Sequence, residues 1–319
     1  MRVALFGGTG YVGSYLIDEL IQAGMRPVVL ARPGSEARVR HRHLCEIVSG
    51  DLGNGAAVEE VLIGADAAIY NVGILREFPE RGISFRDLHH DAACRVMQAA
   101  ERAGVKRFLL MSANGVKASG TPYQASKFAA ERCLAGSTMD WTAFRPSVIF
   151  GDPRGRGEFA TQLARDIVDS PLPAPLFYSG MLPWGAGEFS MSPVHVRDVA
   201  TAFVKALTTP ETIGQTLPLG GPRSLSWRQI LSEISKAVGR EKLMLPVPAM
   251  GVSAVAALLE RFESFPITRD QLQMLLEGNT CGDGAFALLG IEPTPFNAGQ
   301  LGYLNSPEKE KEACLKNAA

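Results

Sequence analysis

Seven residues near the N-terminus, Gly7-Gly8-Thr9-Gly10-Tyr11-Val12-Gly13, restrict the fold more than any other feature of the chain. They follow a short apolar run at residues 2–6. They open a segment, Tyr11–Gln22, in which Val12, Leu16 and Leu20 recur at helical spacing. Strand, glycine turn and helix in that order make a dinucleotide-binding fingerprint. One glycine permits the tight turn, the next lets the backbone approach a pyrophosphate, and the last lets the helix pack close to the strand. Helix amides and the macrodipole then receive the phosphates. The glycines fit two registers, Gly8/Gly10/Gly13 and Gly7/Gly10/Gly13. A glycine triplet alone is only a flexible turn; its place between strand and helix favours the cradle.

The alternation continues downstream. Apolar runs at 27–31, 45–48, 67–72, 107–112 and 141–150 read as strands, and 56–63, 87–103 and 123–134 as helices. Continuous apolar strands alternating with helices imply a parallel sheet covered on both faces. Residues 1–150 are therefore expected to form an α/β, Rossmann-type doubly wound sheet, with 190–240 adding strands at 191–196 and 215–219 and helices at 197–207 and 226–238. Ser224 or Ser226 is the expected N-cap of the last helix. Residues 151–189, with a helix at 158–169 and a proline-rich stretch at 170–187, join 241–305 as a smaller, mostly helical substrate lobe. Residues 306–319 read as a polar tail.

Composition removes several function classes. Of the 319 residues, 46% are hydrophobic and 20% charged, as in a chain that buries a core. Lys plus Arg is 32 against 33 for Asp plus Glu, so the basic excess of a nucleic-acid binder is missing. Cys45, Cys94, Cys133, Cys281 and Cys314 are scattered without a CxxC pair, which argues for a reducing compartment and against a disulfide framework or zinc ribbon. His41 and His43 precede Cys45 in an H-x-H-x-C run, but Arg38, Arg40 and Arg42 interleave, so it reads as a solvated basic segment and no metal is expected. No signal peptide is evident. The apolar run at 243–259 contains Pro246, Pro248 and Gly251 and falls short of the ~20 residues of a membrane span. A cytoplasmic protein is expected, with peripheral membrane contact left open.

The second strand bears on the cofactor. An acidic residue at its end would hold the adenosine ribose and disfavour a 2′-phosphate. Here the strand ends in Arg32, which can fork onto a phosphate and stack on adenine; NADP(H) is favoured and NAD(H) remains allowed. Asp51 and Leu52 follow the third strand, where a carboxylate can accept from the adenine amino group. Asn71-Val72-Gly73 ends the fourth strand, where a small turn lets the chain pass beneath the ribose.

Tyr123-Gln124-Ala125-Ser126-Lys127 sets a phenol and an ammonium four residues apart, on one helix face. A free tyrosine, with a pKa near ~10, is a poor base at neutral pH, and a nearby lysine favours its phenolate. Ser112, at the end of the preceding strand, is the candidate hydroxyl for polarising a carbonyl. Gly7–Gly13, Asp51, Asn71, Ser112, Tyr123/Lys127, the run Phe144-Arg145-Pro146-Ser147-Val148 and the segment Pro193-Val194-His195-Val196-Arg197-Asp198 together resemble the short-chain dehydrogenase/reductase superfamily in its extended or atypical branch. The resemblance implies a general acid/base at Tyr123, support from Lys127, substrate orientation by Ser112, and backbone contacts to the nicotinamide at Pro146 and Val148. More narrowly, Ser112-Ala113-Asn114-Gly115 and the segment 265–275 resemble bacterial relatives of the NAD(P)-binding accessory subunit of respiratory complex I, in which the cofactor is thought to be structural. Two departures stand out: Asp91 sits where an asparagine is expected on the fourth helix, and Ser112 lacks an adjacent second serine.

The expectation is an NAD(P)-dependent oxidoreductase moving hydride between nicotinamide and a carbonyl or alcohol. The alternatives are a nucleotide-sugar epimerase/dehydratase and a non-catalytic NADP(H)-binding assembly protein. Phe177, Tyr178, Met181 and Trp184 either line a pocket for an apolar, quinone-, isoprenoid- or steroid-like substrate or pack the second lobe. Arg145 reads as a structural ion-pair partner, and Asp198 as a charge on a helix N-terminus. The segment 243–276 reads as lobe core, or else as an apolar entrance that touches a membrane or partner.

Overall fold

The computed structural model describes residues 1–259, 267–282 and 284–305. In chain order, β1 (Arg2–Phe6) leads to α1 (Tyr11–Gln22), β2 (Arg26–Ala31), β3 (Glu46–Ser49), α2 (Gly55–Leu62) and β4 (Ala67–Tyr70). Then come α3 (Ala92–Arg102), β5 (Arg107–Met111), α4 (Pro122–Ala135), β6 (Asp140–Pro146) and β7 (Ile149–Phe150). After α5 (Phe159–Leu163) follow β8 (Ala174–Tyr178), β9 (Ser190–Met191), β10 (Val194–His195), α6 (Val196–Ala206) and β11 (Gln215–Leu219). The chain continues through β12 (Leu225–Ser226), α7 (Trp227–Ala237), β13 (Met244–Pro248), α8 (Ala249–Leu259), α9 (Arg269–Glu277) and α10 (Gly284–Leu288).

Seven strands form a parallel sheet in the order β11-β6-β5-β4-β1-β2-β3. The order reverses between β1 and β4, the switch point at which open α/β sheets bind ligands beyond their strand C-termini. The Rossmann-type expectation therefore holds. Its apolar runs are buried because both faces are covered: β1 and β4 contribute Val3, Leu5, Phe6, Ala67 and Ile69, all fully buried. Two compact units share the chain: Met1–Pro146, Val196–Leu219 and Gly282–Glu292 form one, and Ser147–His195, Gly220–Cys281 and Pro293–Ala319 the other. The return to the sheet unit is narrower than 190–240, since α7 belongs to the second unit, whereas 282–292 joins the sheet unit.

Several elements depart from the sequence expectations. The run at 141–150 breaks after Pro146, which has no amide to continue a ladder, and resumes as β7. The expected helix at 87–103 begins with a π-helical turn, Arg86–Asp91, before α3. The Tyr70 hydroxyl donates to the Leu88 carbonyl (2.6 Å), a bond from the end of β4 that holds this wider turn. The helix at 158–169 likewise divides into α5 and a π turn, Ala164–Val168. The proline-rich stretch carries a strand: β8 pairs in parallel with β13, Pro175 opposite Leu245 and Leu176 opposite Pro246. A two-stranded sheet consists only of edges, where proline is tolerated. Cys94 on α3 and Cys133 on α4 lie side by side, their Cα atoms 6.1 Å apart. Helix packing brings them together across 39 residues of sequence; the scattered spacing gave no sign of it.

In the second unit, Trp227 is buried among Phe177, Ile230, Leu231 and Ile234, and its indole N–H donates to the Pro175 carbonyl (2.8 Å). Ser226 is the N-cap of α7, in a capping box with Gln229. Phe177 is core, whereas Met181 and Trp184 are 97% and 83% exposed. Among the described residues no helix is long and apolar enough to cross a membrane. The polar tail, 306–319, lies outside the described residues.

Candidate functional site

The glycine turn is a surface built by the absence of side chains. Gly7 has φ +93°, and a Cβ there would lie 2.6 Å from the Asn71 carbonyl oxygen at the end of β4. A Cβ on Gly13 would meet the Gly7 carbonyl oxygen at 2.1 Å, and one on Gly8 the Val29 side chain at 2.7 Å. So Gly7 gives the turn, Gly8 lets β2 approach, and Gly13 lets α1 start against the turn. Gly10 is the N-cap of α1, and no side chain caps that helix. The first amides of a helix have no intrahelical acceptor, so the half-buried start of α1 suits an anion, while the Gly10 amide closes the turn by donating to the Gly7 carbonyl (3.1 Å). The residues present fit a dinucleotide pyrophosphate.

The flanking residues lie at the C-terminal ends of neighbouring strands. Arg32 is exposed just beyond β2. In the following loop Arg40 pairs with Asp18 of α1 (3.0 Å), and His41 approaches the same carboxylate (3.2 Å). The H-x-H-x-C run is thus tied to a helix carboxylate, while the Cys45 thiol points to the Arg40 carbonyl. Asp51 uses one oxygen to accept from the amides of Gly53 (2.8 Å) and Asn54 (3.1 Å), which leaves the other for a ligand. Leu52 packs against the sheet core. The Asn71 amide continues the β1 ladder to Phe6. Pro146 ends β6, and its carbonyl accepts from the Asn114 amide (2.9 Å). Val148 falls in the other unit, where its carbonyl accepts from the Val194 amide (3.0 Å).

Thr121 starts α4 with a capping box to Gln124 and with Pro122 in the first turn, which sets Tyr123 and Lys127 on successive turns. The Lys127 ammonium is buried and donates to the carbonyls of Val72 (3.2 Å) and Met111 (2.9 Å), at the ends of β4 and β5. Burial lowers its pKa to about 8, against the pull of the Glu131 carboxylate. Gly73 leaves room for it, since a Cβ there would sit 3.3 Å from Nζ. The Tyr123 ring meets Phe85 and His89 edge-on, with centroids 5.6 and 5.2 Å away. Burial pushes its phenol up to about 12. The lowering by Lys127 expected from the spacing does not accompany that rise.

Ser112 differs from the expectation. Its hydroxyl is buried at the end of β5 and donates to Glu131, two turns after Tyr123 on α4. Glu131 in turn receives the Arg145 guanidinium through Nε (2.8 Å) and a second nitrogen. The serine proton is therefore committed to a carboxylate. Glu131 extends the Tyr123/Lys127 spacing by four more residues, a signal legible in the sequence but not used. Asp91 turns to His90 (2.6 Å) and Arg86 (3.5 Å). The inner place in that turn belongs to His89, which is 1% exposed and which the sequence reading passed over.

Residues 7–169 match a family model described as NAD(P)H-binding. The mitochondrial NADH-ubiquinone oxidoreductase 40 kDa subunit of Neurospora crassa is 26% identical over 316 residues, covering 95% of this chain and 78% of that protein. The ceramide reductase of Caulobacter vibrioides is 28% identical over 270 residues, covering 83% and 80%. Among solved structures, UDP-glucuronic acid 4-epimerase from Bacillus cereus in complex with NAD superposes with a TM-score of 0.71 at 17% identity, over 97% of this chain and 98% of that one; at that identity the likeness concerns the fold. The similarity to a complex I subunit and to the epimerase/dehydratase fold agrees with what the motifs implied.

Proposed function

Because the chain belongs to the NAD(P)H-binding family, we propose that it is an NADP(H)-dependent oxidoreductase acting on a carbonyl or alcohol substrate. The observation that carries this reading is the ammonium of Lys127, buried between the ends of β4 and β5 one helical turn beyond the Tyr123 phenol. Gly7, Gly8, Thr9, Gly10, Tyr11, Val12 and Gly13 hold the pyrophosphate. Arg32 takes the 2′-phosphate, Asp51 and Leu52 bound the adenine, and Asn71, Val72, Gly73, Lys127 and Pro146 serve the nicotinamide half. A bound nicotinamide supplies the two-electron redox equivalent.

The remaining chemistry is the protein's own. With its pKa up at about 12, Tyr123 stays protonated at neutral pH and donates its proton to the substrate oxygen as a carbonyl becomes an alcohol. Lys127, one turn on, stabilises the phenolate that results. Ser112, its own proton given to Glu131, contributes an acceptor, so polarisation of the carbonyl falls to Tyr123. The test is NADPH oxidation over a panel of quinone, steroid, isoprenoid and sugar carbonyls. Tyr123→Phe should bind NADPH normally and lose at least about 100-fold in turnover, the scale of positioned general acid catalysis. Equal turnover by the two proteins removes Tyr123 from the mechanism.

A second reading is a cofactor-stabilised assembly protein, in which bound ligand acts by favouring the native state. It is supported by the alignment of 95% of this chain with a complex I subunit and by the committed Ser112 proton. Tight NADPH binding with a negative panel favours it. Purification with non-exchanging NAD favours instead an epimerase-type cycle on a nucleotide sugar.

A further inference from the structure

We propose that His89 is a positioning residue of this site, a neutral imidazole that latches the chain after β4 to the first turns of α4. The inference rests on the cofactor reading above. Three hydrogen bonds determine where its protons are. The Ile74 amide can only donate, and it donates to Nε2 (3.0 Å); Nε2 is therefore bare. The proton of a neutral ring must then lie on Nδ1, which faces the Ser126 hydroxyl at 3.1 Å. Ser126 accepts it and sends its own proton to the Tyr123 carbonyl (2.9 Å). Donor and acceptor match at every step, so the tautomer is set by its neighbours. Burial and the nearby Lys127 charge both disfavour a second ring proton.

The latch bears on the site through Gly73. Lys127 donates to the Val72 carbonyl on one side of that glycine, and His89 accepts from the Ile74 amide on the other. The turn assigned to the nicotinamide half is thus pinned to α4 at two points. On its faces the His89 ring stacks on Phe85 (5.4 Å, 27°) and receives Tyr123 edge-on (5.2 Å, 89°). Removing the acceptor at Nε2 frees the Ile74 amide, loosens Val72–Ile74 and lets the Tyr123 ring turn. A neutral acceptor at the same reach suffices, because no proton is exchanged.

The experiment compares wild type, His89→Gln and His89→Phe. Glutamine offers an oxygen near the Nε2 position and phenylalanine offers none. Amide hydrogen exchange at Ile74 is read against Asn71, whose amide bonds to Phe6, and NADPH affinity is read by fluorescence titration. His89→Phe should raise exchange at Ile74 at least about tenfold with Asn71 unchanged, and weaken NADPH at least about tenfold. His89→Gln should restore both to within about threefold of wild type. Glutamine behaving like phenylalanine overturns the acceptor argument. Faster Ile74 exchange with unchanged NADPH affinity overturns the positioning role. If phenylalanine fails to fold, the glutamine protein alone decides: near-native values support the latch, and a tenfold loss of either readout overturns it. A wild-type protein that ignores NADPH yet shows the exchange pattern brings down the cofactor reading and leaves the hydrogen-bond latch standing.

Discussion

Gly13→Ala places a methyl group where α1 meets the turn it grows from. The new Cβ would lie 2.1 Å from the Gly7 carbonyl oxygen, 2.7 Å from Gly8 Cα and 2.9 Å from the Gly8 carbonyl carbon. All three are backbone atoms, so no rotamer change relieves the clash. Ordinary contact begins at 3.4 Å, which asks for a movement of about 1.3 Å between turn and helix. Overpacking of this kind costs ~1–3 kcal/mol in stability. It also shifts the amides proposed to receive the phosphates, and one charge-assisted hydrogen bond is worth ~1.5–3 kcal/mol, or about one to two decades in affinity. Gly10→Ala is the internal comparison: its only close neighbour is the Gly7 oxygen at 3.3 Å, so a few tenths of an ångström of adjustment suffice. Urea unfolding and NADPH titration of both variants should rank Gly13→Ala well below Gly10→Ala on both scales. A Gly13→Ala protein with wild-type affinity and stability would mean that α1 does not start against this turn.

Arg32→Asp should reverse a preference for NADPH over NADH, by about one to two decades on loss of a charge-assisted contact; equal wild-type affinities for the two cofactors would show that Arg32 does not face the 2′-phosphate. Arg145→Leu strips the buried Glu131 of its partner, whose side chain is only 28% exposed, and should cost about 2–4 kcal/mol in urea unfolding; a change under about 0.5 kcal/mol would contradict the pairing. His89 is held down at about 2 in the folded protein against 6.5 when free, so the unfolded chain takes up its proton first on acidification. Its stabilising contribution is whole above pH 6.5 and fades as the pH falls toward 2. Thermal unfolding of wild type should therefore weaken below pH 6.5 more steeply than that of His89→Gln, and parallel curves would count against the neutral imidazole.

What could be read from the sequence was what local spacing encodes. Tyr11–Gln22 emerges with the expected ends because glycines set its start and its apolar stripe is periodic. The Tyr123/Lys127 pair lies on one helix for the same reason. What escaped depends on partners far along the chain. His89 stood in a helical-looking segment, and its meaning comes from Ile74 on one side and Ser126 on the other. The π turn that aims it inward is held by Tyr70, and no local pattern announces such a turn. Ser112 looked like a free hydroxyl because Glu131 belongs to the next helix. β8 and β13 were hidden by prolines, whose usual message is that no strand continues.

The last strand of the sheet has a consequence for how the chain leaves the ribosome. β6 is finished at Pro146, but its neighbour β11 is not complete until Leu219, about 70 residues later. At ~5–20 residues per second, roughly 4–15 s of synthesis separate the two. Through that interval the nascent sheet ends in β6, whose unpaired groups are a template for association. The Arg107 side chain waits as well: in the finished fold it donates to the Ala206 carbonyl and the Thr212 hydroxyl, neither of which has yet emerged. Newly made protein should therefore depend on cover for that edge, and translation pauses between codons 146 and 219 should lower the soluble yield more than pauses placed after 219.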